Sequence, residues 1–302
     1  MNNNSKIEFI TIVGRPNAGK SSLLNVLTGE KIAMVSDKPQ TTRTRITGIV
    51  TNGETQYVFM DTPGIHKAKN RLGEFMNKAV KESVSDVDLI VMVTDLSKKI
   101  NEAEKELIKS FKKNANVILL LNKIDLIHDK EQIALRIEEF SEMYDFKAII
   151  PISVLTNDGV DIVWDEVSKY AVEGPHYFPD DKFTDQPEKV LASEIIREKL
   201  LILMREEIPH GIAVGIEEMD ERTNKNGEDI LDISAVIYCE RDSHKGMVIG
   251  KKGAMLKKIG QLAREELESF FEIKVNLQCW VKVKEDWRNR EGLIRNFGLD
   301  NS

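Results

Sequence analysis

Residues Gly14-Arg15-Pro16-Asn17-Ala18-Gly19-Lys20-Ser21 follow the pattern Gly-x-x-x-x-Gly-Lys-Ser. Glycines at these two places let a backbone wrap closely around phosphate oxygens and visit φ above zero. Lys20 is spaced to reach the β- and γ-phosphates, and Ser21 to ligate Mg²⁺. Gly14, Asn17, Ala18, Gly19 and Ser22 complete the candidate cradle. The apolar run Phe9-Ile10-Thr11-Ile12-Val13 precedes it, and the helical pattern Ser22-Leu23-Leu24-Asn25-Val26-Leu27 follows. A strand feeding a glycine loop feeding a helix is the setting this motif needs. The helix start adds oriented N–H groups and partial positive charge.

Two further motifs stand at the ends of apolar runs. After Tyr57-Val58-Phe59-Met60 comes Asp61-Thr62-Pro63-Gly64. A carboxylate there suits Mg²⁺, bound directly or through water, and Gly64 can turn its N–H toward a γ-phosphate. After Val117-Ile118-Leu119-Leu120-Leu121 comes Asn122-Lys123-Ile124-Asp125. Guanine presents N1–H and its 2-amino group side by side, and the Asp125 carboxylate accepts both. Adenine has neither, and would leave that carboxylate unpaired. Asn122 suits the other edge of the base, and the Lys123 stem its face. In this order the three motifs imply binding of GTP and GDP with Mg²⁺, and GTP hydrolysis.

The chain has 302 residues, enough for two domains, and 41% apolar residues, enough for ordinary cores. The N-terminal stretch is polar, without a signal-peptide apolar region, and no apolar run approaches the ~20 residues that span a bilayer. Cys239 and Cys279 lack metal or redox spacing and are expected as buried thiols. His66, His128, His176, His210 and His244 show no metal-ligand spacing. The expected protein is cytoplasmic and monomeric; whether it also visits the cytoplasmic face of the membrane stays open. Net charge is −7, so any nucleic-acid surface must be local.

Residues 6–171 alternate strands (near 7–13, 46–51, 56–60, 87–94, 116–121, 147–152) with helices (near 20–28, 74–84, 102–113, 130–143, 158–171). That alternation predicts a doubly wound, mostly parallel α/β sheet, with all three motifs at carboxyl ends of strands. A domain over 1–172 is followed by a Pro- and Gly-containing linker over 173–187 and a second domain over 188–302. The second domain reads as α+β: a helix near 188–206, strands near 212–219 and 229–239, a helix to about Phe271, and a strand near 273–284. Between helical segments lies Val248-Ile249-Gly250-Lys251-Lys252-Gly253. A Gly-x-x-Gly loop joining helices lets a nucleic-acid backbone pass close by, as in KH domains. From His244 to Arg264 there are six Lys or Arg residues, Lys257 among them, and no Asp or Glu. The candidate RNA contacts are Val248, Ile249, Gly250, Lys251, Lys252, Gly253 and Lys257.

From the first motif to the C-terminus the sequence resembles the Era family of bacterial GTPases. Pro39-Gln40-Thr41-Thr42-Arg43, Glu173-Gly174-Pro175-His176-Tyr177-Phe178-Pro179, Glu194-Ile195-Ile196-Arg197-Glu198-Lys199-Leu200-Leu201 and Val281-Lys282-Val283-Lys284 carry the likeness. The resemblance implies an α/β P-loop (Ras-like) GTPase domain followed by an α+β type II KH domain. It implies binding to the 3′ end of 16S rRNA and a part in assembling the small (30S) ribosomal subunit. By position, Thr42 becomes the switch-I Mg²⁺ ligand, with Thr41 the alternative, and Ile152-Ser153-Val154 the last guanine-contacting motif. Family members more often carry Ala at position 154; the contact expected there is a backbone N–H. Lys20, Thr42 and Gly64 are then the residues at the reacting phosphate. Ile65 follows the Asp-x-x-Gly motif where Ras-like proteins hold the glutamine that orients water. Hydrolysis is therefore expected to be slow, without a named general base. Asn17 falls where related GTPases lacking that glutamine hold potassium. The rival expectation is a GTP-gated adaptor that docks on a protein or membrane surface without RNA.

Overall fold

A computed structural model of the chain describes residues 5–36, 38, 41–65, 68, 70–85, 87–204 and 211–299. Met1–Asn4, Pro39, Gln40, His66, His210 and the end of the helix expected to reach 206 lie outside the described residues.

The first half alternates β1 (Lys6–Gly14), α1 (Lys20–Thr28), β2 (Ile46–Asn52), β3 (Thr55–Asp61), α2 (Arg71–Ser83), β4 (Leu89–Asp95), α3 (Glu102–Ser110), β5 (Val117–Asn122), α4 (Lys130–Ser141), β6 (Ala148–Ile152), α5 (Val160–Val167) and β7 (Val172–Glu173). The strand order is β2-β3-β1-β4-β5-β6, parallel except where β2 runs against β3. Alternate residues of each central strand serve opposite layers, because side chains on a strand alternate. Ile10, Ile12, Val91, Val93, Ile118 and Leu120 pack toward α1 and α5. Val13, Ile90, Met92, Leu119 and Leu121 pack toward α2, α3 and α4. Burial on both sides explains why these strands read as unbroken apolar runs.

Strand β7 pairs antiparallel with Lys6 and Ile7, below the point where β4 takes over that side of β1. The first sheet therefore extends to Glu173, into the stretch expected as linker. That stretch is held down along its length. The buried Gln56 side chain accepts from the N–H groups of Tyr177 and Phe178 and donates to the Phe178 carbonyl. Ile49 N–H donates to the Phe183 carbonyl, and Thr184 Oγ1 to the Thr47 carbonyl.

The second half contains α6 (Glu188–Leu203), β8 (Ile212–Thr223), β9 (Asp229–Cys239), α7 (Asp242–Ile249), α8 (Ala254–Phe271), β10 (Lys274–Val283) and α9 (Glu291–Asn296). Its sheet runs β10-β9-β8; β8 and β9 form an antiparallel hairpin, and β10 is parallel to β9. A parallel neighbour needs a crossover, which α7 and α8 supply. Leu231, Ile233, Ala235 and Ile237 on β9 bury against Ile196 and Leu200 of α6 and Ile259, Ala263 and Leu267 of α8. Cys239 is buried, Cys279 only half-buried, and burial pushes both thiols up to about 11. The closing α9 was not expected from the sequence. It joins Trp287, Ala213 and, across the two halves, Leu72 and Met76 of α2 in a separate cluster.

One core residue opposes its surroundings. Glu8 of β1 has no exposed surface, and neither carboxylate oxygen finds a hydrogen-bond partner. Burial first, and the nearby Asp88 second, push it up to about 8. The folded state thus holds a proton that the unfolded chain releases above about 4.5, and stability falls as pH rises through that window toward 8. Comparing thermal midpoints at pH 6 and pH 8.5 tests this. The wild type should lose several degrees more than Glu8→Gln, and equal losses would show that Glu8 is ionised in the fold.

Candidate functional site

The loop after β1 carries φ 61 at Asn17 and φ 101 at Gly19. A Cβ on Gly19 would sit 2.2 Å from Asn122 Nδ2, so the left-handed turn and the close approach both demand glycine. Gly64 is required by contact, since its Cβ would lie 2.6 Å from Pro16 Cα. Pro16, Asn17, Gly19, Lys20, Ser21, Ser22, Thr41, Thr42 and Gly64 line one cleft at the carboxyl end of the sheet. Lys20 is 5% exposed and donates to the Arg15 carbonyl at 3.1 Å. Burial pulls its ammonium below the ordinary lysine range, with Asp61 opposing.

Three oxygens converge beside it. Ser21 Oγ donates to Asp61 Oδ2 at 2.6 Å and lies 2.8 Å from Thr42 Oγ1; Thr42 Oγ1 is 3.4 Å from Asp61 Oδ2. Asp61 is fully buried, and its other oxygen, Oδ1, has no hydrogen-bond partner. Burial raises the Asp61 carboxyl, against Lys20, Ser21 and Thr42, which lower it. A hard-oxygen set with one unengaged buried carboxylate oxygen fits Mg²⁺, which keeps waters and phosphates as its remaining ligands. No group of three or more His, Cys, Asp and Glu able to cage a metal occurs among the described residues. Thr41 turns elsewhere: its hydroxyl donates to the Lys38 carbonyl at 2.5 Å and meets Ser36 Oγ at 2.9 Å.

Asn122 knits the base site to the phosphate site. Its Nδ2 donates to the Ala18 carbonyl at 2.8 Å, and its Oδ1 accepts from Lys123 and Val154 N–H at 2.8 and 3.0 Å. One Nδ2 hydrogen remains for a base. The Val154 N–H, expected to face guanine, is already engaged with Asn122 and reaches a base only by exchanging that bond. Asp125 is exposed, and Ser153 Oγ donates to its Oδ1 at 2.6 Å, which fixes the carboxylate. Lys123 sits at φ 73 and donates to Asp95 Oδ2 at 2.8 Å. Burial would raise Asp95, but hydrogen bonds from Lys123 and Ser97 outweigh it, so the carboxyl lies below its ordinary range. Asp95 has no place in the three motifs. Its signal is register, because it ends β4 opposite Asn122 of β5.

Ile65 is absent from this cleft. It packs with the core between α2 and α3, beside Val80, Val84 and Leu107. Its N–H donates to the Gly14 carbonyl at 3.1 Å.

In the second half, Gly250 ends α7 and Gly253 begins α8, with exposed Lys251 and Lys252 between them and Lys252 at φ 52. Lys257 is exposed one turn on, and Ile249 is half-buried. Val248 corrects the sequence expectation: it is fully buried in the core under α7 and anchors the loop from behind, so it cannot meet RNA. A groove runs onward from the loop between α8 and β10, lined by Gly253, Leu256, Lys257, Gly260, Gln261, Arg264, Leu277 and Cys279. Gly260, Gln261 and Arg264 continue the helical face of Gly253 and Lys257 at three- and four-residue steps. That spacing was the available signal for them.

Phosphate, cation and base positions thus open at the carboxyl end of one sheet, and a Gly-x-x-Gly groove opens on a second sheet. The class so defined is a P-loop guanine-nucleotide domain joined to a KH module. Residues 9–123 match the family described as 50S ribosome-binding GTPase, and residues 207–288 match the KH domain family. GTPase Era of Clostridioides difficile (strain 630) is 51% identical over 300 residues, covering 98% of this chain and 99% of that protein. GTPase Era of Ruminiclostridium cellulolyticum is 47% identical, covering 97% of each. The crystal structure of Era in complex with MgGDPNP and nucleotides 1506–1542 of 16S ribosomal RNA superposes with TM-score 0.93 at 39% identity, covering 98% of this chain and 99% of that one. An Aquifex aeolicus Era variant bound to GDP and aluminium fluoride gives 0.92 at 40% identity, covering 97% and 99%. The chain belongs to the GTPase Era family.

The base site yields a direct test. Asp125→Asn exchanges an acceptor pair for an amide that also donates, and xanthine carries a carbonyl where guanine carries its 2-amino group. The variant should lose GTP affinity roughly a hundredfold or more and gain xanthosine triphosphate. Wild-type GTP affinity in a labelled-nucleotide titration would remove Asp125 from base recognition.

Proposed function

We propose that the chain is a magnesium-dependent GTP-hydrolysing switch whose KH groove takes the single-stranded 3′ end of 16S rRNA during assembly of the 30S subunit. One observation carries this: the likeness to a relative holding both MgGDPNP and a 16S fragment extends over 98% of the chain, through both sites. The 50S description belongs to a family match over the first domain alone, without the RNA module.

Ser21, Thr42 and, through water, Asp61 are the residues to hold Mg²⁺, which when bound offsets charge on the β- and γ-phosphate oxygens. Lys20 and the N–H groups at the start of α1 cradle the phosphates. Gly64 brings its backbone to the γ-phosphate. Asp125, steadied by Ser153, reads guanine, while Asn122 holds the base loop to the phosphate loop. With Ile65 committed to the α2–α3 core, none of these residues is a side-chain base for water, and turnover is slow without a partner or ion. We assign residues 1–172 to the nucleotide domain, 173–187 to the connection and 188–302 to the RNA domain. Cytoplasmic residence as a monomer completes the proposal. No described helix is long and apolar enough to cross a membrane.

Asn17 lines the phosphate cleft at φ 61 and is our candidate potassium ligand. Turnover should be faster in potassium than in sodium, and the difference should vanish in Asn17→Ala. Equal rates for the wild type in both salts would eliminate the ion.

The two sites should also separate by mutation. Replacing Lys251 and Lys252 together by Asp reverses charge where phosphates pass, so affinity for a single-stranded 16S 3′-end RNA should fall at least tenfold with a shallower salt slope. GTP binding should persist. Lys20→Ala should show the opposite pattern. Unchanged RNA binding by the double variant would favour an adaptor module that docks on protein or membrane.

A further inference from the structure

Thr42 is flanked by two residues held from the second domain. The Thr41 carbonyl accepts a hydrogen bond from Arg197 Nη2 on α6. Arg43 Nη1 donates to the Ile212 carbonyl of β8 at 2.5 Å, and its guanidinium lies 5.5 Å from the Trp287 ring centroid. Both arginines are only 2% exposed, and Trp287 is fully buried, with its indole N–H on the Gly211 carbonyl at 3.0 Å. The same face of α6 holds the start of this loop: Glu198 accepts from Val35 N–H at 3.0 Å and pairs with Lys31 at 2.8 Å.

Arg197 is built for this contact. Its Nε and Nη2 grip both oxygens of Glu194 at 2.8 and 2.7 Å, which orients the planar fork so that Nη2 also reaches Thr41. A lysine has no fork and cannot hold the carboxylate and the carbonyl in that geometry. Switch loops are ordered by the γ-phosphate and its Mg²⁺ and released after hydrolysis. Here the other domain also holds the two residues that flank Thr42.

We propose that Arg197 is a positioning residue for GTP hydrolysis, supplied by the RNA-binding domain: through the Thr41 carbonyl it aims Thr42 Oγ1 at the magnesium site, so that the site is complete only while α6 is docked. This rests on the assignment of Thr42 as a magnesium ligand. The coupling is reciprocal: magnesium-GTP, which recruits Thr42, favours docking of α6, and loss of docking weakens magnesium-GTP but not GDP.

The test uses full-length Arg197→Lys, Arg197→Ala and Thr42→Ala. Single-turnover GTP hydrolysis is titrated with magnesium, and the affinities for GDP and for magnesium-GTP are measured alongside. The expected result is a roughly tenfold rise in half-saturating magnesium for both Arg197 variants, a shift at least as large for Thr42→Ala, and unchanged GDP affinity. If Arg197→Ala does not fold, Arg197→Lys decides. Wild-type magnesium dependence in Arg197→Lys overturns the proposal; a shifted Thr42→Ala then leaves the Thr42 assignment standing, and an unshifted one removes it too. Equal losses of GDP and GTP binding in the Arg197 variants would make the residue merely structural and overturn the proposal as well.

Discussion

The nucleotide site is organised around a carboxylate that the protein alone leaves incompletely satisfied. Asp61 closes β3 with no exposed surface, and one oxygen lacks a partner. A charge in such a place is costly unless it is paired and hydrogen-bonded. Lys20, Ser21 and Thr42 supply part of the compensation, and a divalent cation supplies the rest. Lys20 and Ser21 open α1 and Thr42 belongs to the switch segment, so satisfying Asp61 requires the start of α1 and the switch segment to converge on the end of β3. The sheet order makes that convergence possible by setting β1 directly beside β3. Burial that would be a defect in an ordinary core is here the means by which a bound ion reports on the position of a loop.

Much of this was legible beforehand because its signals are local. A strand buried on both faces reads as an apolar run, a glycine loop follows, and the polar residues at strand ends have nowhere to go but the ligand. Lys20, Ser21, Asp61 and Asn122 were visible on those grounds. Asp125 was legible through its spacing from Asn122, although only the fold shows Ser153 gripping it. Asp95 was hidden because its relation to Lys123 is one of register between strands. Arg43 and Arg197 were hidden more deeply. Each stands in a polar stretch that a sequence reads as solvated, yet both are buried by a contact between segments some 150 residues apart. Nothing in local spacing encodes that pairing.

The second site shows the complementary error. Val248 precedes the Gly-x-x-Gly loop and looked like part of a binding surface, but helix α7 turns it inward. The groove instead continues along α8, at positions set by helical repeat. A motif marks where a backbone bends; the periodicity of the adjoining helix marks where the surface runs. Basic residues at the rim and apolar ones on the floor, Leu256 and Leu277, suit a strand that offers both phosphates and unstacked bases.

The segment between the two sheets has a further role. Strand β2 forms the outer edge of the first sheet, and an open edge is a template for pairing with foreign strands. Phe183 and Thr184 engage Ile49 and Thr47 on that edge, and Gln56 pins the chain just before them. The connection is therefore a cover as well as a tether. A large swing of the second domain that peeled it away would bare a strand to self-association. Safe movement has its pivot after Thr184, close to Pro187 where α6 begins. The need to keep one sheet edge shut thus limits how far the RNA-binding half could move away from the first sheet.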